Sequence, residues 1–261
     1  MQKFLQDIIK EAGFLAKGYY LEGVAHAYKS SPSDIVTVAD KETEIFLVNK
    51  IKEKFPDHGI ITEERAGEIN PGAEYTWVID PIDGTRNFAN KISHWCVMIG
   101  ITKNGQPFLG AIYDAMNDEL YFAEAGKGAF LNDKKITVNE NDDVQNSFMD
   151  FSPGHMNTGS PYDSEKYPDY LRFYNNLMGE RGKWIFNYGS MLGACYVAAG
   201  RMDAVLKNGP MYHDFLAAFV IATEAGARAT DCEGNIWQRG RKDMVIANPK
   251  LHPKLMDLFN K

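Results

Sequence analysis

The sequence predicts an α+β fold of layered sheets and helices, and three observations point there. Two amphipathic helical patterns open the chain, a run of short β-rich segments separated by turn residues follows, and helical and β patterns then alternate to the end. The middle run is expected to pair largely antiparallel, because turns such as Asn104-Gly105 are hairpin chemistry.

Each element follows from its spacing. Phe4, Ile8, Ile9, Ala12, Leu15, Ala16 and Tyr19 recur at helical intervals, so a first helix should end near Gly23. A second is expected from about Lys41 to Phe55, closed by Pro56, with Ile45, Val48, Ile51 and Phe55 facing inward. Its wet face would carry Lys41, Glu42, Glu44, Lys50, Lys52 and Glu53. Strands are expected at Ile60 to Thr62, Tyr75 to Ile79, Cys96 to Thr102, Phe108 to Tyr113 and Glu119 to Ala123. A polar stretch from Asn139 to Asn146 suggests a boundary between subdomains 1–140 and 141–261, and a Ser/Pro/Gly/Asn-rich loop covers Ser152 to Asp163. Helices follow at Tyr167 to Met178, Ser190 to Ala199 and Asp214 to Ala225, then a strand at Met244 to Ala247 and a short terminal helix.

Composition narrows the function. A formal net charge of −7, with basic residues scattered along the chain, opposes a nucleic-acid partner. No apolar run approaches the roughly 18 to 20 residues of a membrane span. The three cysteines, Cys96, Cys195 and Cys232, have no zinc spacing and read as reduced, buried thiols of a cytoplasmic protein.

The acids carry the chemistry. Trp77 to Thr85 reads as an apolar strand ending in Asp80-Pro81-Ile82-Asp83-Gly84-Thr85. Pro81 holds Asp80 extended, so the two aspartates are expected to converge after a turn, where they repel unless a cation neutralises them. Gly84 frees backbone amides for an anion, and Thr85 is expected to cap a short helix. An isolated D-x-x-D-G is usually a surface turn. Here Glu63 and Glu64 end another strand, Asp40 follows the run Ile35 to Ala39, and Asp214 stands before Phe215, so further acids are available to a metal centre.

Trp77 to Thr85 with Asn87-Phe88 resembles the signature of the inositol monophosphatase family nearly residue for residue. Ser33 to Asp40, Thr62-Glu63-Glu64, Gly189-Ser190 and Val197 to Asp203 match in the family's order. The resemblance implies a five-layer αβαβα sandwich of the sugar-phosphatase type, a mostly antiparallel N-terminal sheet and a smaller mixed sheet in the C-terminal half. It also implies Mg²⁺-dependent hydrolysis of a small phosphate monoester, a phosphorylated metabolite, by two-metal activation of water, with Glu63, Asp80, Asp83, Asp214 and the Ile82 carbonyl as metal ligands. Thr85, oriented by Asp40, and Glu63 would act on the attacking water. Gly84, Thr85 and Ser190 would contact substrate, with Lys29 as a possible added charge. A homodimer and lithium inhibition are further family expectations.

Three positions depart from the pattern: Arg86 replaces a small residue, Lys207 an acid that contacts inositol hydroxyls, and His213 a common Trp. Arg86 and Lys207 as substrate contacts would favour a second anionic group, as in fructose 1,6-bisphosphate, NADP or adenosine 3',5'-bisphosphate. The plain alternative is that both pair with nearby acids or face solvent. A rival of another class is a non-catalytic phospholigand-binding regulator.

Overall fold

The computed structural model describes residues 1–23, 26–28, 35–154, 156, 163–179, 184–209 and 211–260. Helix α1 (Gln2–Glu22) forms on the expected stripe, with Leu5, Ile8, Ile9, Ala12 and Ala16 all buried, and Gly23 ends it at φ 87°. Strands β1 (His26–Tyr28) and β2 (Ile35–Thr37) pair antiparallel. Thr37 then caps helix α2 (Val38–Lys54): its hydroxyl accepts the Ala39 amide at 3.1 Å, and Asp40 accepts the Thr37 amide at 2.7 Å.

That capping box starts α2 three residues before the expected Lys41 and settles which face is buried. The buried side is Ala39, Asp40, Thr43, Glu44, Leu47, Val48 and Ile51, whereas Ile45 is 52% exposed. Glu44, expected on the wet face, is therefore inside. The apolar stripe is too weak to set the rotation alone, and its first turns carry acids that have partners elsewhere.

Strands β3 (Gly59–Thr62) and β4 (Tyr75–Asp83) are parallel neighbours. After helix α3 (Thr85–Ala89), strands β5 (Cys96–Lys103), β6 (Gln106–Asp114), β7 (Glu119–Glu124), β8 (Gly128–Leu131) and β9 (Lys134–Ile136) extend the sheet antiparallel, in sequence order. Asn104 and Gly105, at φ 50° and 75°, make the β5–β6 hairpin turn.

The second half supplies β10 (Phe148–Ser152), α4 (Tyr167–Gly179), β11 (Trp184–Phe186), α5 (Leu192–Ala198) and β12 (Ala204–Asn208). It finishes with α6 (Tyr212–Glu224), β13 (Arg228–Thr230), β14 (Asp243–Ala247) and α7 (His252–Asn260). The five strands run in the order β11-β10-β12-β14-β13, parallel across the first three and antiparallel across the rest. Strands β1, β2 and β8 to β13 escaped the sequence reading because short, fully buried or edge strands leave no alternation to detect.

Three apolar cores separate five layers. One packs α1 and α2 on the outer face of the seven-stranded sheet through Leu5, Leu47, Trp77 and Val97. A second lies between the two sheets, with α5 and α6 as filling and Val78, Met98, Phe215, Leu216 and Ile246 in contact. A third holds α4 and α7 against the far face through Met149, Phe173, Leu255 and Phe259. The result is the αβαβα sandwich. Helix α6 lies so close to the first sheet that a Cβ on Gly110 would meet the Ala217 carbonyl oxygen at 2.6 Å. Among the described residues no helix is long and apolar enough to cross a membrane.

Candidate metal centre

The two aspartates of β4 share a face because the strand is irregular. Asp80 pairs with Met98 and Asp83 with Cys96, so three steps along β4 match two along β5. In an unbroken strand residues three apart point to opposite faces, and the extra residue of a bulge turns Asp83 back to the side of Asp80. β4 thus continues through Pro81 to Asp83, where the sequence suggested a strand continuing to Asp80 and then turning.

That side faces α6. Asp214 lies in the first turn of α6, and its Oδ2 accepts the Met211 amide, as a helix-capping carboxylate does. Asp80, Asp83 and Asp214 are 1%, 8% and 9% exposed, and each offers a carboxylate oxygen within 4.8 Å of the others. Burial, then the charges of Glu63, Asp83 and Asp214, holds the Asp80 carboxyl well above the usual carboxylate range. Burial pushes Asp83 up to about 6, against the donors that surround it, and raises Asp214 as well. Among the described residues the only His, Lys or Arg side-chain nitrogen within 4.0 Å of the trio is Nε2 of His213, 3.7 Å from Oδ1 of Asp214. Buried oxygen donors with so little opposing positive charge fit a hard divalent cation.

Asp83 is held from the other half of the chain. Its Oδ2 accepts the Ser190 hydroxyl, the Met191 amide at 2.6 Å and the Cys96 thiol at 3.3 Å. Ser190 is 4% exposed, and its hydroxyl, expected at substrate, donates to this carboxylate. Asn87 pins the same loop, donating to the carbonyls of Tyr188 and His94 at 2.7 Å each.

Thr85 is not the cap of α3. Gly84 occupies that position at φ 87°, and the Thr85 hydroxyl lies 2.9 Å from the Ile82 carbonyl oxygen and 3.3 Å from Oδ1 of Asp40. The left-handed backbone at residue 84 suits glycine, and a Cβ there would stand 3.0 Å from the His94 carbonyl oxygen. The preference for threonine as a cap misled because the same hydroxyl finds better acceptors one turn back.

A cleft of about 570 Å³ runs over these groups, lined from the first half by Glu63, the Asp80–Asn87 segment and, from the second, by 152–154, 187–191, 207–209 and Asp214. Arg86 lines it exposed to solvent. Lys207 also lines it, but its Nζ is 2.8 Å from Oδ1 of the buried Asp150, as the plain alternative held. Asp40 is fully buried and borders the centre through Thr85. Lys29 lies outside the described residues. Glu44, read as solvated, instead has a partner beside Glu63: its Oε2 accepts the Glu64 amide at 2.8 Å. The available signal was its place one helical turn after Asp40.

Fold and site together put the chain in the class of αβαβα sandwiches whose cleft carries a buried carboxylate cluster. Within that class it belongs to the inositol monophosphatase family, which matches residues 1–261. It is 33% identical over 254 residues to the inositol-1-monophosphatase of Bacillus subtilis (strain 168), spanning 96% of this chain and 93% of that one. It is 30% identical over 243 residues to the Nus factor SuhB of Escherichia coli (strain K12), spanning 93% and 88%. Among solved structures, the extragenic suppressor protein suhB from Bartonella henselae superposes with a TM-score of 0.89 at 28% identity, over 99% of this chain and 98% of that one.

Proposed function

We propose that this chain is a Mg²⁺-dependent phosphatase that hydrolyses a small phosphate monoester, inositol monophosphate foremost, by direct attack of water on phosphorus. The convergence of Asp80, Asp83 and Asp214 within 4.8 Å carries the reading. Family membership and the name of the Bacillus subtilis relative support it.

In this reading Asp80, Asp83, Asp214, the Ile82 carbonyl and Glu63 hold the cation. When bound, Mg²⁺ supplies Lewis-acid activation of water and neutralises charge on the leaving oxygen. The remaining work belongs to the chain. The Ile82 carbonyl has two lone pairs, so it can receive the Thr85 hydroxyl and still serve as a ligand. Thr85, fixed between Ile82 and Asp40, orients the attacking water, and Glu63 takes its proton as the new P–O bond forms. The ester P–O bond breaks on the far side of phosphorus, and the leaving alkoxide takes a proton from solvent. Amides of Gly84 and Thr85 hold phosphate oxygens. Lys207, neutralised by Asp150, leaves Arg86 as the cation that would favour a second anionic group, as in fructose 1,6-bisphosphate or NADP.

A division near residue 140, a homodimer, lithium inhibition and a cytoplasmic site of action extend the same reading. The relatives named Nus factor SuhB favour a second one, a regulator whose cleft binds without turnover. Phosphate release from inositol 1-phosphate, fructose 1,6-bisphosphate, NADP and adenosine 3',5'-bisphosphate, with Mg²⁺ and with EDTA, decides between them. Mg²⁺-dependent release supports the phosphatase, and folded protein inert toward all four supports the regulator.

A further inference from the structure

We infer that Glu44 is a positioning residue which, together with Asp40, makes α2 the frame that sets the separation between Glu63 and Thr85; this rests on the reading of those two as groups of the hydrolytic site. Asp40 and Glu44 are one turn apart and so lie on one face of the helix. Asp40 reaches Thr85: its Oδ2 is fixed by the Thr37 amide and hydroxyl at 2.7 and 2.6 Å, which leaves Oδ1 3.3 Å from Oγ1 of Thr85. Glu44 reaches the other group through the backbone.

β3 ends at Thr62, and the Glu63 amide still finds the Ile79 carbonyl of β4 at 3.2 Å. The next amide, that of Glu64, is part-buried and has run past the sheet, so it needs another acceptor. Oε2 of Glu44 supplies it at 2.8 Å. The backbone at Glu63 is therefore held by β4 on one side and by α2 on the other. Glu44 is 8% exposed on a face shared with Leu47, Val48 and Ile51, where a carboxylate is costly without a donor. Solubility does not require it there, since Lys41 and Glu42 already face water.

The experiment compares Glu44→Gln and Glu44→Met, with Thr43→Ala as a control for loss of a buried neighbour on the same helix. It measures kcat and KM for inositol 1-phosphate, Mg²⁺ affinity by calorimetry, and Tm. Glu44→Gln should stay within about threefold of the parent in kcat, because the amide oxygen accepts the same bond. Glu44→Met should lose about ten- to a hundredfold in kcat with KM little changed, as small misplacements of a reacting group do, and should bind Mg²⁺ several-fold more weakly. Thr43→Ala should lower Tm without touching kcat. Parental kcat and Mg²⁺ affinity in Glu44→Met, or a loss in Thr43→Ala equal to it, overturns the inference. Should Glu44→Met not fold, Glu44→Asp decides, since it keeps the charge and withdraws the oxygen by one methylene: a matching loss supports the role and parental kcat rejects it. A parent enzyme without Mg²⁺-dependent hydrolysis sinks the phosphatase reading instead, and the calorimetric comparison then decides Glu44 alone.

Discussion

Nζ of Lys207 lies 2.8 Å from Oδ1 of Asp150, across the neighbouring parallel strands β12 and β10, with the two side chains 4% and 0% exposed. The same Oδ1 accepts the Tyr188 amide at 3.3 Å, and a Cβ on Gly193 would come within 2.4 Å of Oδ2. The pair is thus built into the wall between cleft and core. Removing one charge from a buried pair strands the other. Lys207→Met should therefore cost about 3–5 kcal/mol in urea unfolding, while Asp150→Leu with Lys207→Met should cost much less. Additive losses in the double variant would show that the two charges do not depend on each other.

Ser190 offers a sharper test of roles. A hydroxyl that orients Asp83 should matter to metal before substrate. Ser190→Ala is expected to raise the Mg²⁺ concentration for half-maximal activity by about tenfold, in line with outer-shell partners of metal ligands, with KM nearly unchanged. A rise in KM at unaltered Mg²⁺ dependence would return Ser190 to the substrate side.

Thr85→Ala removes a hydroxyl that lies between Ile82 and Asp40. It should lower kcat by about 10²- to 10³-fold and leave KM within a few-fold, because the interaction belongs to the transition state. Pre-steady-state phosphate release checks this, and a pure KM effect contradicts the role.

How much of this was legible in the sequence depended on whether a residue acts through its neighbours in the chain or across space. The apolar run into Asp80 and Asp83 was visible, and so were the layered helices and strands. The convergence of the two acids was expected too, but from a turn after Pro81; the bulge against Met98 and Cys96 that produces it was not, since a spacing of three places two residues on opposite sides of a regular strand. Thr85 looked like a cap because local preference favours that use, and the bond from Ser190 to Asp83 was invisible because the two are 107 residues apart. Glu44 was read as solvated since charge predicts exposure unless a backbone donor, here the part-buried Glu64 amide, is waiting.

Stability should fall in mild acid through His252. The ring is 3% exposed, its Nε2 is 2.9 Å from Oγ1 of Thr230, and burial, with Arg228 nearby, lowers its pKa from 6.5 to about 4. The unfolded chain takes up this proton below pH 6.5 while the folded chain resists until about pH 4, so the contribution is complete above 6.5 and is lost as pH falls through that window. The slope is at most about 1.4 kcal/mol per pH unit. Urea unfolding at pH 7.5, 6 and 5 should show a steeper decline in the parent than in His252→Gln, and parallel declines would reject the assignment.

Substrate preference separates the two cations of the cleft. Arg86 lines it exposed to solvent and makes no ion pair among the described residues, whereas the charge of Lys207 is already met by Asp150. An exposed cation facing a ligand anion contributes about 0–1 kcal/mol, up to roughly fivefold in a ratio of kcat/KM values. Arg86→Ala should therefore lower the preference for fructose 1,6-bisphosphate or NADP over inositol 1-phosphate by no more than about fivefold, through their second anionic group. Lys207→Met combined with Asp150→Leu, assayed at a temperature where it remains folded, should leave the ratio where it was, because a cation and its counter-ion side by side present little net charge to a third group. A shift in that double variant as large as in Arg86→Ala would mean that Asp150 does not neutralise the ammonium toward the cleft. Lys207 would then be the residue that selects an additional anion, as its place in the sequence first suggested.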